Sequence, residues 1–243
     1  MTSSQQVRSG LRVSFLVLFM VLVLDQFSKI WIKTHMAMDE EIHVIGDWFI
    51  LHFTENPGMA FGMEFGGDHG KLLLTLFRML AVTGLSYYLY TQIKSGASKG
   101  FIICLAMITA GAAGNIIDSI FYGVFFTEST HYQVATAFPE IGYSSWFHGK
   151  VVDMLYLPVF KGFLPEWLGG DYFIFFRPIF NLADASISLG VVFILIFQKQ
   201  FFKHQLATPP VPAPVAAEET ASPQLDPEQP DPDDSQNRPV DPL

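Results

Sequence analysis

The chain has 243 residues, of which 50% are hydrophobic and 15% charged, and its formal net charge is −9. The apolar residues gather into four runs of about 20, the length that spans a bilayer, which excludes an ordinary water-soluble domain. No basic patch supports nucleic-acid binding, and a single cysteine, Cys104, excludes an intramolecular disulfide.

The first run covers about 11–32. Arg8 and Arg12 precede it as in a signal peptide, but it continues through "VLVLDQFSKIWIK" without a small-residue cleavage site, so a retained helix is expected. Asp25 and Lys29 stand at i, i+4 within it, the spacing of an ion pair, which suits a positioning role as readily as a catalytic one. The following stretch, 33–71, is acidic. It contains "VIGDWFILHFTENPGMAFGM", where Phe49, Leu51 and Phe53 alternate with Trp48, Ile50 and His52 as in a strand. "NPG" then forces a turn, because proline fixes one φ and glycine permits the next. A small β-subdomain is predicted over about 40–66.

The second and third runs, about 72–93 and 100–122, flank a short loop that carries Lys94 and Lys99 and no acid. Cys104 in the third run reads as a packed thiol, and Gly111 and Gly114 as points of close helix approach. The run ends in "AGNIIDS", with Asn115 and Asp118 on one helical face. Residues 123–178 are rich in aromatics and glycine, which suits the membrane interface. Within them "GKVVDMLYLP" sets Asp153 in an apolar stretch too short to span, an interfacial or re-entrant strand or turn whose acid needs a polar partner. The fourth run, about 179–201, opens with "FNLADAS", where Asn181 and Asp184 repeat the amide–acid spacing and Asp184 is the natural partner for Asp153.

Residues 205–243 hold eight acids against Arg238, a net −7 that leaves −2 for the rest, together with ten prolines. Such a tail buries too little apolar surface to offset its ordering entropy and is predicted to be disordered and dispensable for chemistry. Basic residues at helix ends place both termini in the cytoplasm and the loops 33–71 and 123–178 outside. The expected architecture is an all-α polytopic membrane protein. Residues 1–203 form four transmembrane helices with a small extracytoplasmic β-subdomain and an interfacial loop, and 204–243 form the tail.

At about 1.5 Å per helical residue, Asp25, Asp118 and Asp184 lie roughly 6–10 Å from the outer ends of their runs. An ionised aspartate at mid-bilayer costs on the order of 3 kcal/mol, so three acids in one leaflet read as functional rather than incidental. Competing chemistries lack their signatures: no HExxH or comparable metal-ligand spacing, no GxSxG, and no cofactor motif.

The motifs "DQFSK", "NPGMAFG", "AGNIID", "GKVVDM" and "FNLAD", in that order, resemble the lipoprotein signal peptidases (type II signal peptidases) of bacteria over roughly residues 12–203. The resemblance implies a membrane aspartic endopeptidase without cofactor, with Asp153 and Asp184 as the catalytic pair. It assigns substrate-binding or supporting roles to Asp25, Lys29, Asn56, Gly58, Asn115, Asp118 and Asn181. It also implies cleavage of diacylglyceryl-modified prolipoproteins before the lipidated cysteine, among membrane lipids, and inhibition by globomycin-type cyclic peptides. Three departures stand out: Ser119 where the family commonly has arginine, with Arg177 or Lys150 as substitute cations; Met59 where a smaller residue is usual; and an insertion at 124–148.

Two carboxylates about 4 Å apart repel by roughly 4 kcal/mol at an effective dielectric near 20, so such a pair shares one proton near neutral pH. The rival readings are a small proton-coupled transporter using Asp25, Asp118 and Asp184 as a relay, and a non-catalytic scaffold that binds an envelope partner through its β-loop. A transporter expects polar residues through both leaflets.

Overall fold

The computed structural model describes residues 3–57, 67–158, 160–163, 165–166, 172–175 and 178–202. Gly58, Met59, Arg177 and the tail 204–243 lie outside these residues. All four apolar runs are helices long and apolar enough to cross a membrane. α1 spans Ser3–His35 and α2 Gly67–Lys94. α3 is α-helical over Lys99–Ile117, then takes a π-helical turn at Asp118–Tyr122 and a last α-turn at Gly123–Phe125. α4 spans Leu182–Phe201.

The bundle presents apolar side chains outward: Leu80 is 72% exposed and Phe15 70%, as a surface solvated by lipid requires. Association therefore depends on close packing rather than on hiding apolar area from water. α3 is the central helix and packs against the other three. A Cβ on Gly111 would strike the Ala183 carbonyl oxygen, and one on Gly114 would lie 2.6 Å from Asp25 Oδ2. The expected close approach at both glycines thus brings α1 and the start of α4 against the polar end of α3. Deeper in the bundle, Leu89 and Ile93 of α2 pack on Phe101, Ile102 and Leu105 of α3.

Over the end of the bundle where α1 finishes lies a four-stranded antiparallel sheet. β1 (Glu41–Ile45) and β2 (Phe49–Asn56) form the hairpin expected from the sequence. β2 pairs with β3 (Val151–Tyr156), placing Thr54 opposite Asp153 and Asn56 opposite Val151. β4 (Phe160–Phe163) and β5 (Tyr172–Phe175) make a separate hairpin, and β6 (Ile179–Phe180) returns to β3. Strict alternation does not hold in β2. The buried side chains are Ile50 and Phe53, because the register slips between Leu51 and Thr54, and a bulge turns the strand. Phe53 then joins Ile32, Met36, Val152 and Met154 in a core between α1 and the sheet.

Helix ends differ from expectation in two places that matter. α1 continues to His35, so Asp25 lies about 15 Å from its end. α4 begins three residues later than expected, because Ile179 and Phe180 are strand and Asn181 is the helix cap. Asp184 therefore sits in the first turn of α4, at its electropositive end, rather than roughly 8–9 Å down the helix.

The 124–148 insertion folds back over the end of α3. Ser144, Phe147 and Gly149 donate their N–H groups to the carbonyls of Gly123, Ile120 and Ser119 at 2.8, 3.2 and 2.9 Å. These acceptors lie in and beside the π-turn, whose altered bonding pattern offers them to the returning loop.

Candidate active site

The sheet register brings the two acids of the expected pair to one place. β3 runs antiparallel to β6 with Leu155 opposite Phe180, so the same register carried two residues further sets Asp153 beside the start of α4. There Asn181 caps the helix with a reciprocal pair of bonds: its side chain accepts from Asp184 N at 2.9 Å, and its own N–H donates to Asp184 Oδ2 at 3.5 Å. The Asn181–Asp184 spacing is thus a capping box, not two positions on one helical face. The Asn181 amide also donates to Asp153 Oδ1 at 2.7 Å and to Asn115 Oδ1 at 3.1 Å. Asn115 in turn donates to Asp184 Oδ1 at 2.7 Å. Asn181 thus holds Asp153, Asn115 holds Asp184, and the bond from Asn181 to Asn115 joins the two.

Asp153 is 4% exposed. Burial, with the charge of Asp184 added, pushes its carboxyl up to about 7, against hydrogen bonds from the Asn181 and Asn56 side chains that favour the ionised form. Asp184 is half-buried and faces a cavity of about 300 Å3 between α2, α3 and α4, which Asn115 and Arg78 also line. The charge of Arg78 acts on both acids. On the other side of Asn181, an apolar cavity of about 350 Å3 lies between α1 and the sheet, lined by Phe27, Trp31, Leu51, Met154 and Leu182 among others.

Behind the pair stands a second charged group. Lys29 is fully buried, 2.9 Å from Asp25 Oδ2, 2.8 Å from Asp118 Oδ2, and donates to Asn115 Oδ1 at 2.8 Å. The expected ion pair is therefore a triad that includes Asp118. Gln26 bridges its acids, at 3.1 Å to Asp25 and 2.9 Å to Asp118. Both acids also accept from backbone: Asp25 Oδ1 from Ala183 N at 2.9 Å, and Asp118 Oδ2, the oxygen that contacts Lys29, from Val152 N at 3.4 Å. One acid thus fixes the start of α4, the other fixes β3, and Lys29 ties both to the amide that holds Asp184.

Of the residues expected at the site, Asp153, Asp184, Asn56, Asn115 and Asn181 meet directly, and Asp25, Lys29 and Asp118 support them from behind. Gly58 lies outside the described residues. Ser119 is buried and donates back to the Asn115 carbonyl at 2.9 Å. Lys150 does not take the place of a cation at that position, since it pairs with Glu55 at 3.3 Å and Glu128 at 3.8 Å. Arg78 is a cation that acts on both acids and that no sequence motif singled out. A lone arginine inside the second apolar run was the signal for it. Also unforeseen was a buried cluster of Lys33, Glu55 and Ser129, which joins α1, β2 and the insertion. Tyr143 covers it and accepts from Lys150 N at 2.7 Å, and burial there pushes the Tyr143 phenol up. The cluster fixes the strand position next to Asn56. Among the described residues, no group of three or more His, Cys, Asp or Glu side chains is arranged to hold a metal ion.

Residues 17–200 match the family model described as signal peptidase (SPase) II. The chain is 49% identical over 186 residues to a lipoprotein signal peptidase of Porphyromonas gingivalis, covering 74% of this chain and 80% of that one. It is 38% identical over 185 residues to one from Amoebophilus asiaticus, covering 74% and 75%. Its fold resembles a bacterial membrane enzyme solved at 1.9 Å resolution, with a TM-score of 0.50, 23% identity, and coverage of 76% and 91%.

Proposed function

The chain belongs to the signal peptidase II family, and from that premise we propose that Asp153 and Asp184 are the pair with which it hydrolyses its substrate. It is a multi-pass bacterial membrane peptidase that removes signal peptides from prolipoproteins. The observation that carries the catalytic reading is the shared amide bridge: Asn181 holds Asp153 and caps the helix turn that bears Asp184, while Asn115 holds Asp184. Two carboxyls so placed, one of them with a pKa near 7, share one proton around neutral pH.

The ionised member takes a proton from a water, whose oxygen attacks the scissile carbonyl carbon. The protonated member donates to the carbonyl oxygen, and a proton reaches the leaving nitrogen as the C–N bond breaks. Asn115 and Asn181 keep both carboxyls oriented through this exchange. Asp25, Lys29 and Asp118 position those amides and do not touch the reacting atoms.

The site faces the outer side of the membrane, with both termini in the cytoplasm. That location suits a diacylated substrate whose acyl chains stay in the leaflet while its cleavage point reaches headgroup level. The transporter reading expects polar residues through both leaflets, whereas Asp25, Lys29, Asp118 and Asp184 cluster toward the outer ends of the helices.

Purified protein in detergent should cut a diacylated prolipoprotein immediately before its lipidated cysteine, and a globomycin-type cyclic peptide should block the reaction. Equal cleavage of the unlipidated form would remove the lipid requirement. No cleavage of either form by folded protein would remove the peptidase reading.

A further inference from the structure

Asn56 and Val151 face each other at one end of the β2–β3 pair: Asn56 is the last residue of β2 and Val151 the first of β3. Strand ends fray most readily, yet the Asn56 side chain has to stay on Asp153, two residues along β3. Glu55 is the neighbour that holds it. Successive side chains of a strand point to opposite faces, so Glu55 leaves β2 on the face away from Asn56, opposite Val152. There its Oε1 pairs with Lys33 of α1 and accepts from Ser129 at 3.0 Å, and its Oε2 lies 3.3 Å from Nζ of Lys150, the residue before β3. The Tyr143 ring receives both ammoniums, Lys33 at 4.9 Å and Lys150 at 5.5 Å. One carboxylate thus binds β2 to α1, to the start of β3 and to the insertion, directly behind Asn56.

Stability alone does not call for charges at this place. A buried ion pair is seldom worth more than apolar packing of the same volume, and here Lys33 is fully buried and Glu55 2% exposed. Two residues earlier on β2, Phe53 packs with Ile32 and Met36 of α1 and with Val152 in an apolar core. Apolar contacts are non-directional and let a strand end slide, whereas ion pairs and charged hydrogen bonds fix direction and distance. Resting on the catalytic reading of Asp153 and Asp184, we propose that Glu55 is a positioning residue for the reaction, clamping the end of β2 so that Asn56 stays hydrogen-bonded to Asp153, and that the 124–148 insertion serves catalysis by closing this clamp through Ser129 and Tyr143. The other groups that act on Asp153 are Asp184, Asn181, Lys29 and Arg78, and the variants below leave all four in place.

The test compares pH profiles for cleavage of a diacylated prolipopeptide by wild type, Asn56→Ala, the charge-free variant Lys33→Met/Glu55→Gln and the triple variant that joins them. Removing both charges together avoids a buried unpaired lysine, and thermal unfolding in detergent checks that the protein is folded. The Asn56 bond favours the ionised carboxyl of Asp153, so its loss keeps that carboxyl protonated to higher pH. Asn56→Ala should therefore move the alkaline limb of kcat/KM upward by about one pH unit, the size of a hydrogen bond to a charged group. Lys33→Met/Glu55→Gln should move it in the same direction and lower kcat by about tenfold with KM nearly unchanged. The triple variant should be no worse than Asn56→Ala, since Glu55 acts through Asn56. A folded charge-free variant with the wild-type profile, or losses that multiply in the triple variant, would overturn the proposal. Should the charge-free variant unfold, Ser129→Ala keeps both charges and should shift the limb the same way by less; an unmoved limb there would equally overturn it. Retained cleavage by Asp153→Asn or Asp184→Asn would instead defeat the catalytic reading, so the two failures are distinguishable.

Discussion

Replacing Lys29 by methionine removes the positive charge that stands between two buried carboxylates. Asp25 Oδ2 and Asp118 Oδ2 both contact Lys29 Nζ, at 2.9 and 2.8 Å, so these oxygens are no more than about 5.7 Å apart, and both side chains are fully buried. At an effective dielectric near 20, two unit charges at that separation repel by about 3 kcal/mol. This agrees with the roughly 3–5 kcal/mol seen when one member of a buried ion pair is removed. Lys29→Met should therefore lower the unfolding temperature in detergent sharply and abolish cleavage, because Asn115 loses the ammonium that orients it. The informative comparison is the double variant Asp25→Asn/Lys29→Met, which lacks the repulsion and should be more stable than Lys29→Met alone. The assay is thermal unfolding followed by tryptophan fluorescence and by size-exclusion recovery, on wild type, both single variants and the double. A double variant no more stable than Lys29→Met, or a Lys29→Met protein as stable as wild type, would refute the charge argument.

Three further outcomes are expected. Since the Asp153 carboxyl lies near 7, the protonated member of the pair is lost as pH rises, so kcat/KM should fall as pH climbs through about 7 and should also fall in acid once both carboxyls are protonated; a flat profile between pH 5 and 9 would count against it. Asn181→Ala removes a helix cap worth about 1 kcal/mol together with the bond to Asp153, so cleavage should fall far more than stability; proportionate losses in both would reduce Asn181 to a structural role. Gly114→Ala puts a methyl group 2.6 Å from Asp25 Oδ2 and should force α1 and α3 apart, seen as a lower unfolding temperature, whereas wild-type stability would show that the helices are not so closely packed.

The pattern of acids and amides was readable because intramembrane polar residues are costly and few, so Asp25, Asn115, Asp118, Asn181 and Asp184 stood out from their apolar surroundings. Asp153 was readable for the same reason in a stretch too short to span. The way these residues are joined was not. Helical spacing suggested that Asn181 and Asp184 share a helical face, but two residues of strand pairing delay the start of α4, and the two form a capping box instead. Gln26 joins Asp25 to Asp118 only because α1 and α3 approach closely at Gly114, a tertiary fact. Glu55, counted in the sequence as one acid of an outer loop, is 2% exposed and carries Lys33 and Lys150, since the insertion folds over it. Likewise the π-turn after Ile117 carries no local sequence mark, and its carbonyls find their donors in a loop more than twenty residues further along the chain.

The central claim is that Asp153 and Asp184 act as one acid–base unit, and single-turnover cleavage of a diacylated prolipoprotein tests it most directly. Asp153→Asn and Asp184→Asn, each with wild-type unfolding behaviour, should both lose cleavage by at least about a thousandfold, with the double variant no worse than either single. Cleavage within about tenfold of wild type in either single variant, or losses that multiply in the double, would contradict it.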